Sequence, residues 1–264
     1  MTKAKIDLHN HTYLCNHADG SMEEYVLEAI RQNINIFGFS EHAPMLNFED
    51  GYRLLRKDQD FYQNSILELK EKYKNKIDIL LGYEVDYIDG NYLEESILKA
   101  PVDYLIGSVH YLDEWGFDNP EFIGEYDKRD IDKIWEEYFT ALTNMARSGK
   151  FDIVGHLDLM KVFNFLPKKS MKELSFDALK EIKKSEMVIE INSSGFRKAP
   201  KEQYPSANIL ELAFELDIPI TFGSDAHKIS QIGLYYDDIT LLAKRIGYTE
   251  CISFKNREKI KYNF

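Results

Sequence analysis

Seven histidines occur in this 264-residue chain, and each ends or shortly follows a short apolar run. His9 and His11 stand at the end of residues 4–9, with His17 just beyond. His42 follows residues 36–40, His110 follows 102–109, His156 follows 151–155, and His227 follows 219–224. Two carboxylates hold the same kind of position: Glu84 after residues 77–83, and Asp225 within Gly223-Ser224-Asp225-Ala226-His227. On an extended chain His9-x-His11 puts both imidazoles on one side, because successive side chains alternate. A lone strand-end histidine is most often an ordinary polar residue; seven at one topological position point to a shared metal site. Imidazole with carboxylate suits Zn, Mn or Fe, and no set of thiolates competes. Nine donors exceed what one ion accepts, so two or three divalent ions with a bridging carboxylate are expected. Such ions act as Lewis acids and lower the pKa of water far enough to supply hydroxide at neutral pH.

Something must bring these donors together. Seven apolar runs, at residues 4–9, 36–40, 77–83, 102–109, 151–155, 187–191 and 219–224, alternate with amphipathic stretches. Near-continuous apolar runs are expected of parallel strands covered on both faces. Helices are expected from Ser21, with Glu24 completing a capping box, and near residues 58–74, 131–148, 175–185, 206–216 and 229–246. Residues 251–254 form a candidate extra strand. No linker, repeat or break in composition divides the chain, so residues 1–264 read as one domain. The fold class is α/β, a TIM-like parallel barrel with its site at the C-terminal strand ends. A barrel brings those ends onto one face, whereas an open sheet would spread them along a line.

Composition bounds the partners. Hydrophobic residues make up 44 % of the chain, which is too much for a disordered polymer. The net charge of −12 argues against nucleic-acid binding. No secretory leader or membrane-length apolar run is evident, and two distant cysteines are no disulfide framework. A cytoplasmic setting is expected. Oligomeric state is not legible.

The motifs Asp7-Leu8-His9-Asn10-His11 with His17-Ala18-Asp19-Gly20, then Ser40-Glu41-His42, Tyr83-Glu84, Ser108-Val109-His110, Gly155-His156 and Gly223-Ser224-Asp225-Ala226-His227 follow one another along the chain. In this order they resemble the PHP (polymerase and histidinol phosphatase) family. Cys15-x-His17-Ala18, Glu24-Tyr25-Val26 and Glu41-His42-Ala43-Pro44 are most similar to its histidinol-phosphate phosphatases of histidine biosynthesis. The resemblance implies a distorted seven-stranded (β/α)7 barrel with a trinuclear centre. It also implies a ligand set: His9, His11, Glu84 and Asp225 on the first ion, Glu84 bridging to a second held by His110 and His156, and His17, His42 and His227 on the third. The expected reaction is hydrolysis of L-histidinol phosphate, with a metal-bridging hydroxide attacking phosphorus in line and the third ion binding phosphate oxygens. Three divalent ions, two carboxylates and a hydroxide leave a local charge of about +3, which admits an anionic ester to an acidic protein.

Glu84, Asp225, His227 and Asp19 are the residues expected to act in the chemistry. Asp225 or a water is the candidate proton source for the leaving group. Asp19 and Glu41, and less directly Asp7 and Asp158, are candidates to accept the second N–H of a ligand imidazole. Cys15 reads as a packing residue near the site. Arg197 follows the one run without a metal donor, and its planar fork suits phosphate; Asn192 is a second candidate there. The long connections at residues 45–57, which include Asn47, and at 111–128 mix aromatics with carboxylates; Trp115 and Phe117 are candidate partners for the substrate imidazole and ammonium. The alternative is another phosphoesterase of the family acting on nucleotides or other small esters; the acidic loops disfavour a nuclease. An amidohydrolase-type enzyme often bridges its metals with a carbamylated lysine, and no strand-end lysine occurs here. A non-catalytic metal-binding module is disfavoured by the complete donor set.

Overall fold

A strand without a polar face must be covered on both sides, and the seven apolar runs are. The structure, a computed structural model, describes residues 3–46, 48–88 and 94–264. Its strands are β1 (Ile6–Asp7), β2 (Ile36–His42), β3 (Asp78–Asp86), β4 (Tyr104–Ser108), a small hairpin of β5 (Tyr111–Leu112) and β6 (Trp115–Gly116), then β7 (Ile153–Val154), β8 (Val188–Asn192), β9 (Ile220–Gly223), β10 (Glu250–Lys255) and β11 (Glu258–Asn263). The helices are α1 (Met22–Arg31), α2 (Gln59–Tyr73), α3 (Glu95–Leu98), α4 (Ile131–Arg147), α5 (Met171–Lys184), α6 (Ala207–Glu215) and α7 (Tyr236–Ile246). One parallel sheet runs β1-β2-β3-β4-β7-β8-β9. Its two edges meet just beyond the strands: Leu8 N–H donates to Phe222 O (2.9 Å), Asp225 N–H to His9 O (2.7 Å) and His11 N–H to Ala226 O (3.0 Å). The sheet is therefore a nearly closed seven-stranded barrel.

Register carries the donors to its mouth. β2 pairs with β3 from Ile36↔Asp78 to His42↔Glu84, so that histidine and that carboxylate lie side by side. Along β3, Ile79, Leu81, Tyr83 and Val85 join the core beneath the helices. Alternation then turns Leu80, Gly82, Glu84 and Asp86 toward the barrel axis. Tyr104 fills the space below, with its hydroxyl donating to the Leu8 carbonyl at 2.6 Å. Gly38 leaves room for it: a Cβ there would lie 2.1 Å from that hydroxyl.

The capping box at Ser21 and Glu24 forms as expected. The single helix expected over residues 229–246 is instead a 3₁₀ turn at Ile229–Gln231 followed by α7. Gly233 and Tyr235 break it with positive φ, and Gly233 N–H turns inward to the Asp7 carboxylate at 3.2 Å. The extra strand expected at 251–254 is longer and has a partner: β10 and β11 form an antiparallel hairpin. Ile252 and Phe254 from it share a buried cluster with Leu80, Tyr104, Ile106, Ile153 and Val188. Ala4 N–H joins the hairpin at Asn263 O (2.9 Å), and Arg257 Nε pairs with Asp152 (2.8 Å), so this element plugs the end of the barrel opposite the donors. Among the described residues no helix is long and apolar enough to cross a membrane.

Phe254 is 1 % exposed. Phe254→Ala should cost about 3–5 kcal/mol of stability, the usual penalty for an aromatic cavity, measured by chemical denaturation. A loss under about 1 kcal/mol would mean that the hairpin lies outside the core.

Candidate metal centre

Glu84 lies at the centre of the site. Its Oε2 is 3.3 Å from His9 Nε2, 3.5 Å from His11 Nε2 and 3.0 Å from His42 Nδ1. Its Oε1 is 2.8 Å from His156 Nε2 and 3.6 Å from His110 Nε2, and accepts from Ser108 Oγ at 2.7 Å. Asp225 faces it from the far edge of the barrel, with Oδ1 3.3 Å from His11 Nε2, 3.9 Å from His9 Nε2 and 3.5 Å from His227 Nδ1. The outer imidazoles stack: His227 lies 4.1 Å from His11 and 4.5 Å from His17, ring to ring, and His42 lies 4.1 Å from His11. All nine side chains expected as donors are thus gathered at one mouth.

Their grouping supports the first two donor sets and loosens the third. Donor atoms within 4.8 Å of one another form the triplets His9, His11, Glu84 and Glu84, His110, His156. His42 and His227 share a third triplet with His11, while His17 and His227 share one with Cys15. The donor chemistry fits divalent ions. Nε2 of His9, His11 and His227 is buried with no hydrogen-bond partner, and each such orphan costs about 1–3 kcal/mol unless something completes it. An ion held by these nitrogens removes that cost.

The electrostatics are those of a crowded donor cluster. Burial disfavours charge on Glu84, but His9, His42 and His110 outweigh it and hold the carboxyl well below its usual range. Burial and the neighbouring His11 lower His42 to about 4, which leaves it neutral and able to donate a lone pair at physiological pH. Burial acts against charge on His11 too, but Asp225 and Glu41 lift it to about 9.

Three buried carboxylates orient the ligand rings from behind. Glu190 Oε1 is 2.7 Å from His9 Nδ1, and its other oxygen accepts from His156 N–H at 2.9 Å. Glu41 Oε1 is 3.3 Å from His11 Nδ1, beyond the neighbouring β1, and accepts the backbone N–H of His42 at 2.9 Å, so the imidazole it orients is that of His11. Asp86 hydrogen-bonds His110 Nδ1. Glu190 and Asp86 escaped the sequence reading. Their signal was a carboxylate inside an otherwise apolar strand, Val188-Ile189-Glu190-Ile191 and Tyr83-Glu84-Val85-Asp86. Gly223 is bound to this arrangement, since a Cβ there would lie 1.9 Å from Glu190 Oε1 and 2.6 Å from His9 Cβ.

Other expectations change. Asp19 is exposed, and its backbone N–H, not its carboxylate, reaches His227 O at 2.9 Å. Asp7 ties β1 to the last loop through Ser224 Oγ (2.6 Å), and Asp158 pairs with buried Lys161 (2.9 Å); neither meets an imidazole. Asn192 spends its amide within the protein, donating to Glu190 at 3.0 Å and accepting from Ser194 N–H at 2.8 Å. Trp115 and Phe117 are core residues: Phe117 is fully buried 5.4 Å from Tyr138, and Trp115 lies 4.9 Å from Tyr126 under the Arg129 guanidinium. The connection at 111–128 folds into the β5–β6 hairpin and a 3₁₀ helix at Pro120–Lys128, which draws both rings inward. Cys15 is buried, as a packing residue should be, though its thiol also lies beside His17 and His227. Arg197 Nη2 donates to the carbonyls of Ser224 (2.8 Å) and Asp225 (2.9 Å), while its Nη1 is buried without a protein partner. In the connection at 45–57, Asn47 lies outside the described residues.

Comparison with known proteins gives the family and the fold. A family model described as the PHP domain matches residues 7–194, and one described as PHP-associated matches residues 207–241. The chain is 34 % identical over 255 residues to a probable histidinol-phosphatase of Deinococcus radiodurans, covering 96 % of this chain and 97 % of that one. It is 29 % identical over 272 residues to the histidinol-phosphatase of Bacillus subtilis, covering 88 % and 97 % respectively. A solved histidinol phosphate phosphatase from Lactococcus lactis, complexed with zinc, L-histidinol and phosphate, aligns with a TM-score of 0.79 at 23 % identity, over 98 % of this chain and 100 % of that chain. At that identity the likeness carries the fold.

Removing the charge behind His9 should loosen the metal without unfolding the barrel. Glu190→Gln is expected to lower metal affinity by about 10–100-fold, read by competition with a chelator. Unchanged affinity would reduce Glu190 to a packing residue. Stripping the metals with a chelator should also lower the Tm of the wild-type protein, because ions bind only the folded donor set.

Proposed function

This chain belongs to the PHP domain family, and from that premise we propose that it is a metal-dependent histidinol-phosphate phosphatase, releasing L-histidinol and phosphate. The observation that carries the reading is the gathering of nine imidazole and carboxylate side chains, Glu84 among them, at one mouth, in a chain alignable with histidinol-phosphatases over nearly its whole length. We assign His9, His11, Glu84 and Asp225 to one divalent ion, Glu84, His110 and His156 to a second, and His17, His42 and His227 to a third; zinc, manganese or iron suits these donors. When bound, such ions supply hydroxide at neutral pH and positive charge toward phosphate oxygens.

The remaining work belongs to the chain. Glu190, Glu41 and Asp86 keep the Nδ1 atoms of His9, His11 and His110 engaged, so that each Nε2 faces the mouth. Arg197 is braced through Nη2 on the Ser224 and Asp225 carbonyls, and its unpartnered Nη1 is the donor we assign to a phosphoryl oxygen. Asp225 keeps partial solvent access, with 16 % of its side chain exposed against 1 % for Glu84. It is therefore the carboxylate we assign to orienting, as a hydrogen-bond acceptor, the water that gives its proton to the leaving oxygen. A single domain, a cytoplasmic setting and a small phosphate monoester as substrate, with no nucleic acid or membrane partner, complete the proposal.

Steady-state kinetics on a panel of phosphate esters, with the Mn, Zn and Fe forms, test it. A kcat/KM for histidinol phosphate at least tenfold above that of other monoesters is expected. A smaller preference would leave a phosphatase of different specificity, and no turnover with any ester would remove the enzymatic reading. Arg197→Ala should lower kcat/KM about a hundredfold with metal content unchanged. Unaltered kinetics would return Arg197 to a purely structural brace.

A further inference from the structure

With Trp115 and Phe117 in the core, an aromatic contact to the substrate would need another ring. Among the described residues of the two long connections, Tyr52 is the aromatic that is both exposed, at 45 %, and in ring contact with a ligand histidine: it stands edge-on to His17, 5.8 Å between centroids. The short segment carrying it is pinned on all sides. Tyr52 N–H donates to Asp50 at 2.9 Å, and Asn16 Nδ2 holds the Gly51 carbonyl at 3.0 Å. Leu54 N–H donates to the His42 carbonyl at 3.0 Å. Arg53 is buried between Asp50 and Asp86, 2.9 Å from the latter, and Asp86 in turn holds His110. One strap thus touches the segments bearing three different ligand histidines and presents a single aromatic ring to solvent at the edge of the centre. An aromatic face fixed in advance loses little freedom when a planar ring docks on it.

We propose that Tyr52 is the specificity-determining residue for the substrate's imidazole, with Arg53 as the residue that positions it. The inference rests on the histidinol-phosphate reading. With the phosphate at the donor cluster, the imidazole of that ester sits three carbons beyond the ester oxygen and lies against the Tyr52 face, as rings of this kind pack with one another. An ester without a ring cannot use the contact.

The experiment compares wild type, Tyr52→Ala and Tyr52→Phe, all metal-loaded, on histidinol phosphate and on glycerol phosphate, with metal content measured for each. Tyr52→Ala should raise KM for histidinol phosphate about tenfold and leave kcat/KM for glycerol phosphate within twofold of wild type. Tyr52→Phe, which keeps the ring, should behave as wild type on both. Binding of L-histidinol, followed by calorimetry, should weaken in parallel with the KM change. Equal losses on both esters, or a preference unchanged in Tyr52→Ala, overturn the proposal while the substrate reading stands. A wild-type protein that fails to prefer histidinol phosphate overturns both.

Discussion

One buried carboxylate, Glu84, organises this protein. A negative charge closed off from water is costly unless it is met by hydrogen bonds and positive charge. Here five imidazoles and one hydroxyl converge on its two oxygens. No local segment could supply them. They come from β1, β2, β4 and β7, and the parallel register that sets His42 beside Glu84 is what brings them to one height. The barrel is the scaffold that lets one side chain be shared by so many neighbours.

Behind the donors lies a layer of negative charge facing the other way. Glu190, Glu41 and Asp86 each hold the Nδ1 of a ligand histidine, which fixes the ring's orientation and raises its basicity. These carboxylates sit on strands or at their ends, where the backbone is least free to move, so the geometry is built on rigid elements. The same layer explains the close fit at Gly223, where even a methyl group would displace Glu190 or His9. The acidic total of the chain, −12, is thus partly spent on holding cations and the rings that bind them. An anionic ester responds to the field at the mouth, not to the sum over the surface.

The β8 end differs from the others. It contributes no metal donor; its Asn192 braces Glu190, and the turn after it delivers Arg197 to the Asp225 loop. In the proposed reading the substrate side of the site is therefore made from loops, Arg197 beyond β8 and the strap at residues 50–54, while the metal side is made mostly from strand ends. That division follows from chemistry. Metal coordination tolerates errors of a few tenths of an ångström, so its donors belong on strands. Recognition of a flexible ester draws on groups that loops can vary without disturbing the barrel.

The side chains gathered at the mouth were legible in the sequence because strand ends are. An apolar run followed by His, Glu or Asp declares both the strand and the face on which its end emerges, and parallel topology makes those faces coincide. Strand positions and the nine His, Glu and Asp side chains that the structure gathers at one mouth could be read for that reason. What tertiary structure alone decided is which long-range partner each group meets. Glu41 accepts the backbone N–H of its neighbour His42 but meets the imidazole of His11; Glu190 and Asp86 look like misplaced charges in apolar strands until His9 and His110 are set against them. Asn192 and Asp19 look like site groups until the fold turns them to other tasks. Trp115 and Phe117 read as candidate partners for the substrate and became core, because a hairpin and a 3₁₀ helix draw the connection onto α4. Periodicity along one chain reports which way a side chain points. Which residue is waiting there depends on the packing of segments far apart in sequence, and only the closed barrel sets it.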